Sequence, residues 1–436
     1  MEKSILKNFI KYVSLNIMGM IGLSCYILAD TFFVAKALGA TGIAALNFSI
    51  SIYSVIHGAG LMIGIGGATR YSILKSRNKD IKANIIFTTC MKLGVIIGII
   101  FALIGIFGST PLALVLGADE TTLPLTKEYL STILCFAPFF IINNIVLAFV
   151  RNDNNPNLSM IAMLVGSFSN IVLDYVFMFP FGMGMFGAAF ATGLAPIISM
   201  GVLLIHFIKK KNNFQFIHSK VNFSYIRDIF SLGLSTFIVE VSSAVVLITF
   251  NLVILRLRGN LGVAAYGIVA NIALVGISVF TGIAQGVQPL ISKGYGLKNH
   301  ELLGKVKNYA LITSISLALF MYLFMFFNSD NIIGIFNSEK NLEIAQIAKS
   351  GLRIYFIGFF FVGVNIIMAM YLSATERTRD AFIISVSRGC VIIVPLVILL
   401  SRIWNITGVW FAFILTECIV TGIAFCMVKL KKKSLV

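Results

Sequence analysis

Apolar runs of about 20 residues or more recur along the whole chain, each long enough to cross a hydrocarbon core of about 30 Å as a helix. No other feature constrains the fold as much. In lipid every backbone N–H and C=O must be paired internally, so a chain built from such runs folds as a helical membrane bundle. About twelve spans are expected, at 10–36, 44–69, 88–116, 128–150, 158–180, 185–208, 229–255, 264–291, 308–336, 351–373, 381–401 and 404–428. Hydrophobic residues fill 58% of the 436 positions, too many for a soluble domain to bury in itself.

A net charge of +17 raises the question of a nucleic-acid partner, and the placement of the basic residues answers it. Of 34 Lys and Arg, 26 fall on the face that carries Lys3, Lys7 and Lys11, including Arg70 to Lys92, Lys209 to Arg227, Lys293 to Lys307 and Lys429 to Lys433. The other face holds Lys36, Lys127, Arg256, Arg258, Lys340, Lys349, Arg353 and Arg402. This is the positive-inside pattern. It predicts a multi-pass protein of the cell (inner) membrane with both termini cytoplasmic, hence an even number of spans. No basic stripe with interleaved aromatics stands outside the spans, so no nucleic-acid partner is expected. The basic start runs into an apolar stretch reaching about Leu38 without a small-residue cleavage site, which reads as a retained first span. The six cysteines lie in or beside apolar runs without a C-x-x-C pair and read as small core hydrophobes.

The polar segment 209–227 divides the spans six and six, giving an N-lobe at 1–208, a cytoplasmic linker at 209–227 and a C-lobe at 228–436. Sliding one half over the other by 220 positions aligns Gly42 with Gly262, Ala45 with Ala265, Ile63 with Ile283 and Gly66 with Gly286. The expected fold class is therefore all-α integral membrane, with twelve transmembrane helices in two pseudo-symmetric six-helix lobes. Six spans per repeat keep the lobes in one orientation around a central cleft, and rocking them about it gives alternating access.

Four acids fall inside the spans: Asp30, Asp174, Glu240 and Glu417. A carboxylate near the bilayer centre costs on the order of 2.5 to 3.5 kcal/mol, so proton or cation handling is the default reading. Asp30 has no i,i+4 cation, because Lys36 is six positions on. Asn170, four residues before Asp174, shares its helical face with Gly166. Asn144 in the fourth span and Thr192 in the sixth add neutral oxygens at similar depth. Convergence of these five groups would suit a proton or a sodium ion, with no other metal. Glu240 faces the same alternatives of ion chemistry and a structural hydrogen bond, and Glu417 reads as structural. His57 and His206 read as isolated packed histidines. Gln285 and Gln288 precede Pro289 and an expected kink, and either line the cleft or hydrogen-bond between helices. No Walker loop, H-E-x-x-H or nucleophile elbow is present, so the protein is not read as an enzyme and an ion gradient is its expected energy source.

Several segments resemble the multidrug and toxic compound extrusion (MATE) family over essentially the whole chain. They are Leu28-Ala29-Asp30-Thr31-Phe32-Phe33-Val34 followed by Leu38-Gly39-Ala40, Asn143-Asn144 followed by Phe149-Val150-Arg151-Asn152-Asp153, and Asn170 to Asp174 followed by Gly187 to Thr192. Glu240 and the run Gly282 to Leu290, followed by Gly294-Tyr295-Gly296, complete the set. The resemblance implies export of cationic or amphipathic drugs or metabolites in exchange for sodium ions or protons, by a monomer without cofactor. It implies a cation site at Asp30, Asn144, Asn170, Asp174 and Thr192, with Glu240 in coupling or substrate binding. Two departures stand out. Asn365 lies where some members carry an acid, and the first proline is Pro111, so no proline bends the first helix. A lipid-linked saccharide flippase is the alternative, and its anionic cargo would need deep cations, of which Arg388 is the main candidate.

Overall fold

The computed structural model describes residues 2–218, 222–336 and 341–432. Lys220, Lys340 and Lys433, counted above, lie outside the described residues. The helices of the first half are α1 (Glu2–Ser76), α2 (Asp80–Val115), α3 (Leu123–Cys135), α4 (Ala137–Asn152), α5 (Pro156–Met178) and α6 (Gly184–Ile208). Those of the second half are α7 (Phe223–Gly296), α8 (His300–Phe336), α9 (Leu342–Tyr355), α10 (Phe359–Ala374), α11 (Thr378–Val386) and α12 (Ile393–Lys432).

These segments make twelve membrane crossings because the longest ones fold back on themselves. A straight helix would separate Tyr26 from Tyr53 by roughly 40 Å at 1.5 Å per residue. Their hydroxyls are in fact 2.6 Å apart. The turn is a single residue, Gly39, at φ 64° and ψ −152°, a conformation that an L side chain opposes. In α7, Gly259 adopts φ 62° and ψ −156°, and Phe250 and Tyr266 stack across it at 5.3 Å. The sequence reading put connections at 37–43 and 256–263; in the structure the helix runs through both, broken at one glycine each. In α12 the turn is at Trp404 and Asn405, and Arg377 returns to the Met427 carbonyl at 2.8 Å. α3 and α4 form one crossing bent by 48°.

Gly39 and Gly259 are 220 positions apart, as are the left-handed turn residues Asn78 and Lys298, so the two lobes repeat each other in backbone. Side chains packed against the bilayer follow the helix period. On α2, Ile96, Ile99, Ile100, Leu103 and Phe107 are exposed on one face, while Gly94, Gly98 and Gly105 pack inward against the bent crossing. The cysteine expectation needs correction on this ground. Cys90 alone is buried among the six, and Cys25, Cys135, Cys418 and Cys426 are exposed.

The linker also differs from its expected extent. α7 begins at Phe223, capped by the Asn222 side chain accepting from the Ser224 N–H at 2.9 Å, so the C-lobe starts inside the segment read as linker. Residues 212–217 fold onto the N-lobe. Asp153 accepts from the Asn213 N–H at 2.7 Å and its Nδ2 at 3.0 Å, and Phe214 is fully buried beside Phe87 and Phe149. His206, expected to be isolated, has Nε2 at 3.0 Å from the same carboxylate.

Candidate functional site

Asp174 and Asn170 are fully buried on one face of α5, as their four-residue spacing requires. With its amide oriented so that the oxygen faces Thr192, the assignment that satisfies both neighbours, Asn170 donates to Asp174 Oδ2 at 3.1 Å and accepts from the Thr192 N–H at 3.2 Å and its hydroxyl at 3.3 Å. Asp30, on the first arm of α1, is 7% exposed and near enough to Asp174 for the two carboxylates to repel. One oxygen of each, Oδ1, is buried without a hydrogen-bond partner, and neither acid forms an ion pair among the described residues. Lys36 points away, with its ammonium 5.8 Å from the Phe179 ring centre. Four of the five expected site residues thus converge. Asn144 does not join them by hydrogen bond; its side chain packs against Gly60 on the wall of the adjoining cavity. Three tyrosines were missed: Tyr129 of α3, close to both carboxylates, and the bonded pair Tyr26 and Tyr53. Tyr26 stands four residues before Asp30, a helical-face signal that was available.

Two cavities meet at the cleft. The N-lobe cavity is lined by Tyr26, Tyr53, His57, Asn143 and Asn144; the C-lobe cavity by Glu240, Asn365, Met370 and Arg388; Leu61 and Gln285 border both. His57, read as isolated, has Nδ1 3.5 Å from Glu240 Oε2. Ser242 and Ser243 do not satisfy Glu240: Ser242 faces Cys390 and Ser243 bonds back to the Val239 carbonyl.

At the basic end the lobes are sealed. Arg151 is 2% exposed and donates to Asn16 at 2.7 Å and Gln285 at 2.8 Å. Gln288 donates to Thr69 at 2.8 Å and accepts from Asn152 at 2.9 Å. Gln288 is fully buried, so of the two readings left open for it the structure gives the bond between helices and not the cleft wall. Pro289 lies inside α7, whose break in helical φ/ψ is at Gly259. Arg70 pairs with Asp228 at 3.0 Å and with Glu376. Closure brings backbones into contact: a Cβ on Gly66 would meet the Ile229 carbonyl, and one on Gly233 the Met62 carbonyl. Near the pseudo-twofold axis, corresponding parts of the two repeats touch each other.

The C-lobe treats its own buried acid differently. Glu417 accepts from Arg388 Nε at 2.5 Å and from the Asn365 amide at 2.7 Å. Arg388 sits in a π-helical turn, Ser387–Val391. Truncating Glu417 to Leu would strand a largely buried guanidinium and is expected to lower stability by about 3 to 5 kcal/mol, measured as thermal unfolding in detergent. The double change Arg388→Met with Glu417→Leu should recover most of that loss.

The MatE family pattern matches residues 16–176 and 236–399. Multidrug export protein MepA of Staphylococcus saprophyticus is 27% identical over 405 residues, 90% of this chain and 86% of that protein. The MepA of Staphylococcus aureus is 25% identical over 418 residues, 94% of this chain and 90% of that protein. Among solved structures, an outward-facing multidrug resistance MATE family transporter superimposes with a TM-score of 0.92 at 21% identity, covering 98% of this chain and 96% of that one. A MOP superfamily transporter from Pyrococcus furiosus, described as having a binding pocket of reverse polarity, gives 0.91 over the same shares at 21% identity. These likenesses extend to the fold as a whole.

Proposed function

The chain belongs to the MatE family, and from that premise we propose that it is a secondary active multidrug efflux transporter, exchanging cationic or amphipathic compounds for sodium ions or protons. One observation carries the ion-coupling reading: the acids Asp30 and Asp174 are both buried, near enough to repel, and each keeps an unpartnered oxygen, while Glu417 in the other lobe is paired with Arg388. Like charges at short range are relieved by a cation or proton held between them, with Asn170 and Thr192 supplying further oxygens. The cargo enters the cleft between the two cavities, where Glu240 offers a partly exposed negative charge and Tyr, Phe and Met side chains offer adaptable apolar surface. Gln285 borders this cleft and holds Arg151, which ties cargo binding to the seal.

The sealed basic face is the cytoplasmic one by the positive-inside argument, with both termini on it in the cell membrane and the cleft open to the outside. The flippase alternative is the weaker reading, because the deep cation Arg388 is already occupied by Glu417. Proteoliposomes loaded with ethidium and given a sodium gradient or a pH gradient separately test the proposal. Efflux driven by either one identifies the ion; efflux driven by neither refutes ion coupling.

A further inference from the structure

We propose that His57 is a positioning residue that holds Glu240 in the empty cleft and that a cationic substrate must displace, so that the charge on this imidazole sets the strength of cation uptake. The inference rests on the reading of Glu240 as a substrate contact.

The pair is built across the lobes. His57 lies on the second arm of α1 and Glu240 on the first arm of α7, with Nδ1 to Oε2 at 3.5 Å. The backbones approach closely here, because a Cβ on Gly58 would stand 3.2 Å from Glu240 Cβ. The imidazole is fixed in plane by stacking on Tyr53 at 5.8 Å and 11°, and Tyr53 is itself held by Tyr26. His57 therefore has one orientation to offer. Both side chains are reachable from the cleft, at 11% and 27% exposure, and each lines a different cavity. At 3.5 Å the contact is loose enough to yield to a ligand.

The cations near the pair are engaged elsewhere. Arg388 shares the cavity of Glu240 but is bound to Glu417, and Arg151 shares that of His57 but is bound to Asn16 and Gln285. Tyr53 on the same arm and Tyr26 on the other are phenols bonded to each other, and Asp30 is felt through Tyr53. α4 adds the amides Asn143 and Asn144, and α5 and α6 add only hydroxyls, Ser167 and Ser199.

A protonated His57 is a competitor cation for Glu240; a neutral one is a weak hydrogen-bond partner. An imidazole gains its charge on acidification, so lower pH ties Glu240 to His57 and higher pH releases it. Ethidium binding to the purified full chain, followed by fluorescence anisotropy at fixed sodium, reads this out. The wild type should bind about fivefold more weakly at about pH 5.5 than at about pH 7.5, the worth of one partly exposed charged pair. His57→Phe keeps the ring stack and His57→Gln keeps a polar group; both should lose the pH step and bind at the alkaline level throughout. If both keep the wild-type step, the proposal is overturned. Glu240→Gln separates the two readings. Unchanged ethidium binding in that variant removes Glu240 from the substrate site and this inference with it. Weakened binding there, with the step intact in both His57 variants, removes the His57 role alone.

Discussion

Ethidium efflux driven by an ion gradient is expected to fall by about ten- to a hundredfold in Asp174→Asn, the range set by a coupling free energy of about 1 to 3 kcal/mol. Asp30→Asn should fall comparably. Asn keeps the volume of Asp and can still bond Asn170, but it carries no charge and cannot trade a proton or hold a cation. The usual objection to buried substitutions is misfolding, and here the expected sign runs the other way. The wild-type pair repels and leaves Oδ1 of each acid unpartnered, so removing one charge relieves a strain that no Lys or Arg among the described residues offsets. Thermal unfolding in detergent should show the variants at least as stable as the wild type while vesicle efflux collapses. Full gradient-driven efflux in both variants would dismiss the site.

Gly66→Val should disable transport through conformation. The added Cβ meets the Ile229 carbonyl and the Gly233 N–H, backbone atoms of the other lobe that have no rotamer to adopt. The clash is relieved by parting the lobes at the basic end. A penalty of about 3 kcal/mol changes the ratio of sealed to open forms by about a hundredfold. Thr69→Cys in a background free of other cysteines provides the measurement, because Thr69 is 1% exposed inside the seal. A water-soluble maleimide should label it slowly in the parent and rapidly in the Gly66→Val protein. Equal labelling would mean that the helices adjust without opening.

How far the sequence reaches can be judged residue by residue. The spans, the repeat and the shared face of Asn170 and Asp174 are legible because they depend on local periodicity and on the cost of charge in lipid. Gly39 and Gly259 are not distinguishable as hinges in the sequence, since one residue in a left-handed conformation leaves no compositional mark. The pairs His57 with Glu240, His206 with Asp153 and Arg388 with Glu417 join residues 183, 53 and 29 positions apart. Such contacts are set by how helices pack, which hydropathy does not encode. Asp153 illustrates the limit well: it falls outside the expected spans, yet it is buried and holds both His206 and the linker.

The loopless turns at Gly39 and Gly259 fix chain length in a way that the other connections do not. Each residue of an α-helix advances the side-chain direction by about 100°. Adding or deleting one residue between Asp30 and Gly39, or between Gly39 and His57, would turn one functional side chain off its face with no slack segment to absorb the rotation. Between the arms of α1 and of α7, spacing is therefore as much a part of the mechanism as residue identity, and length variation in descendants of this chain should collect in the connections outside these two hairpins.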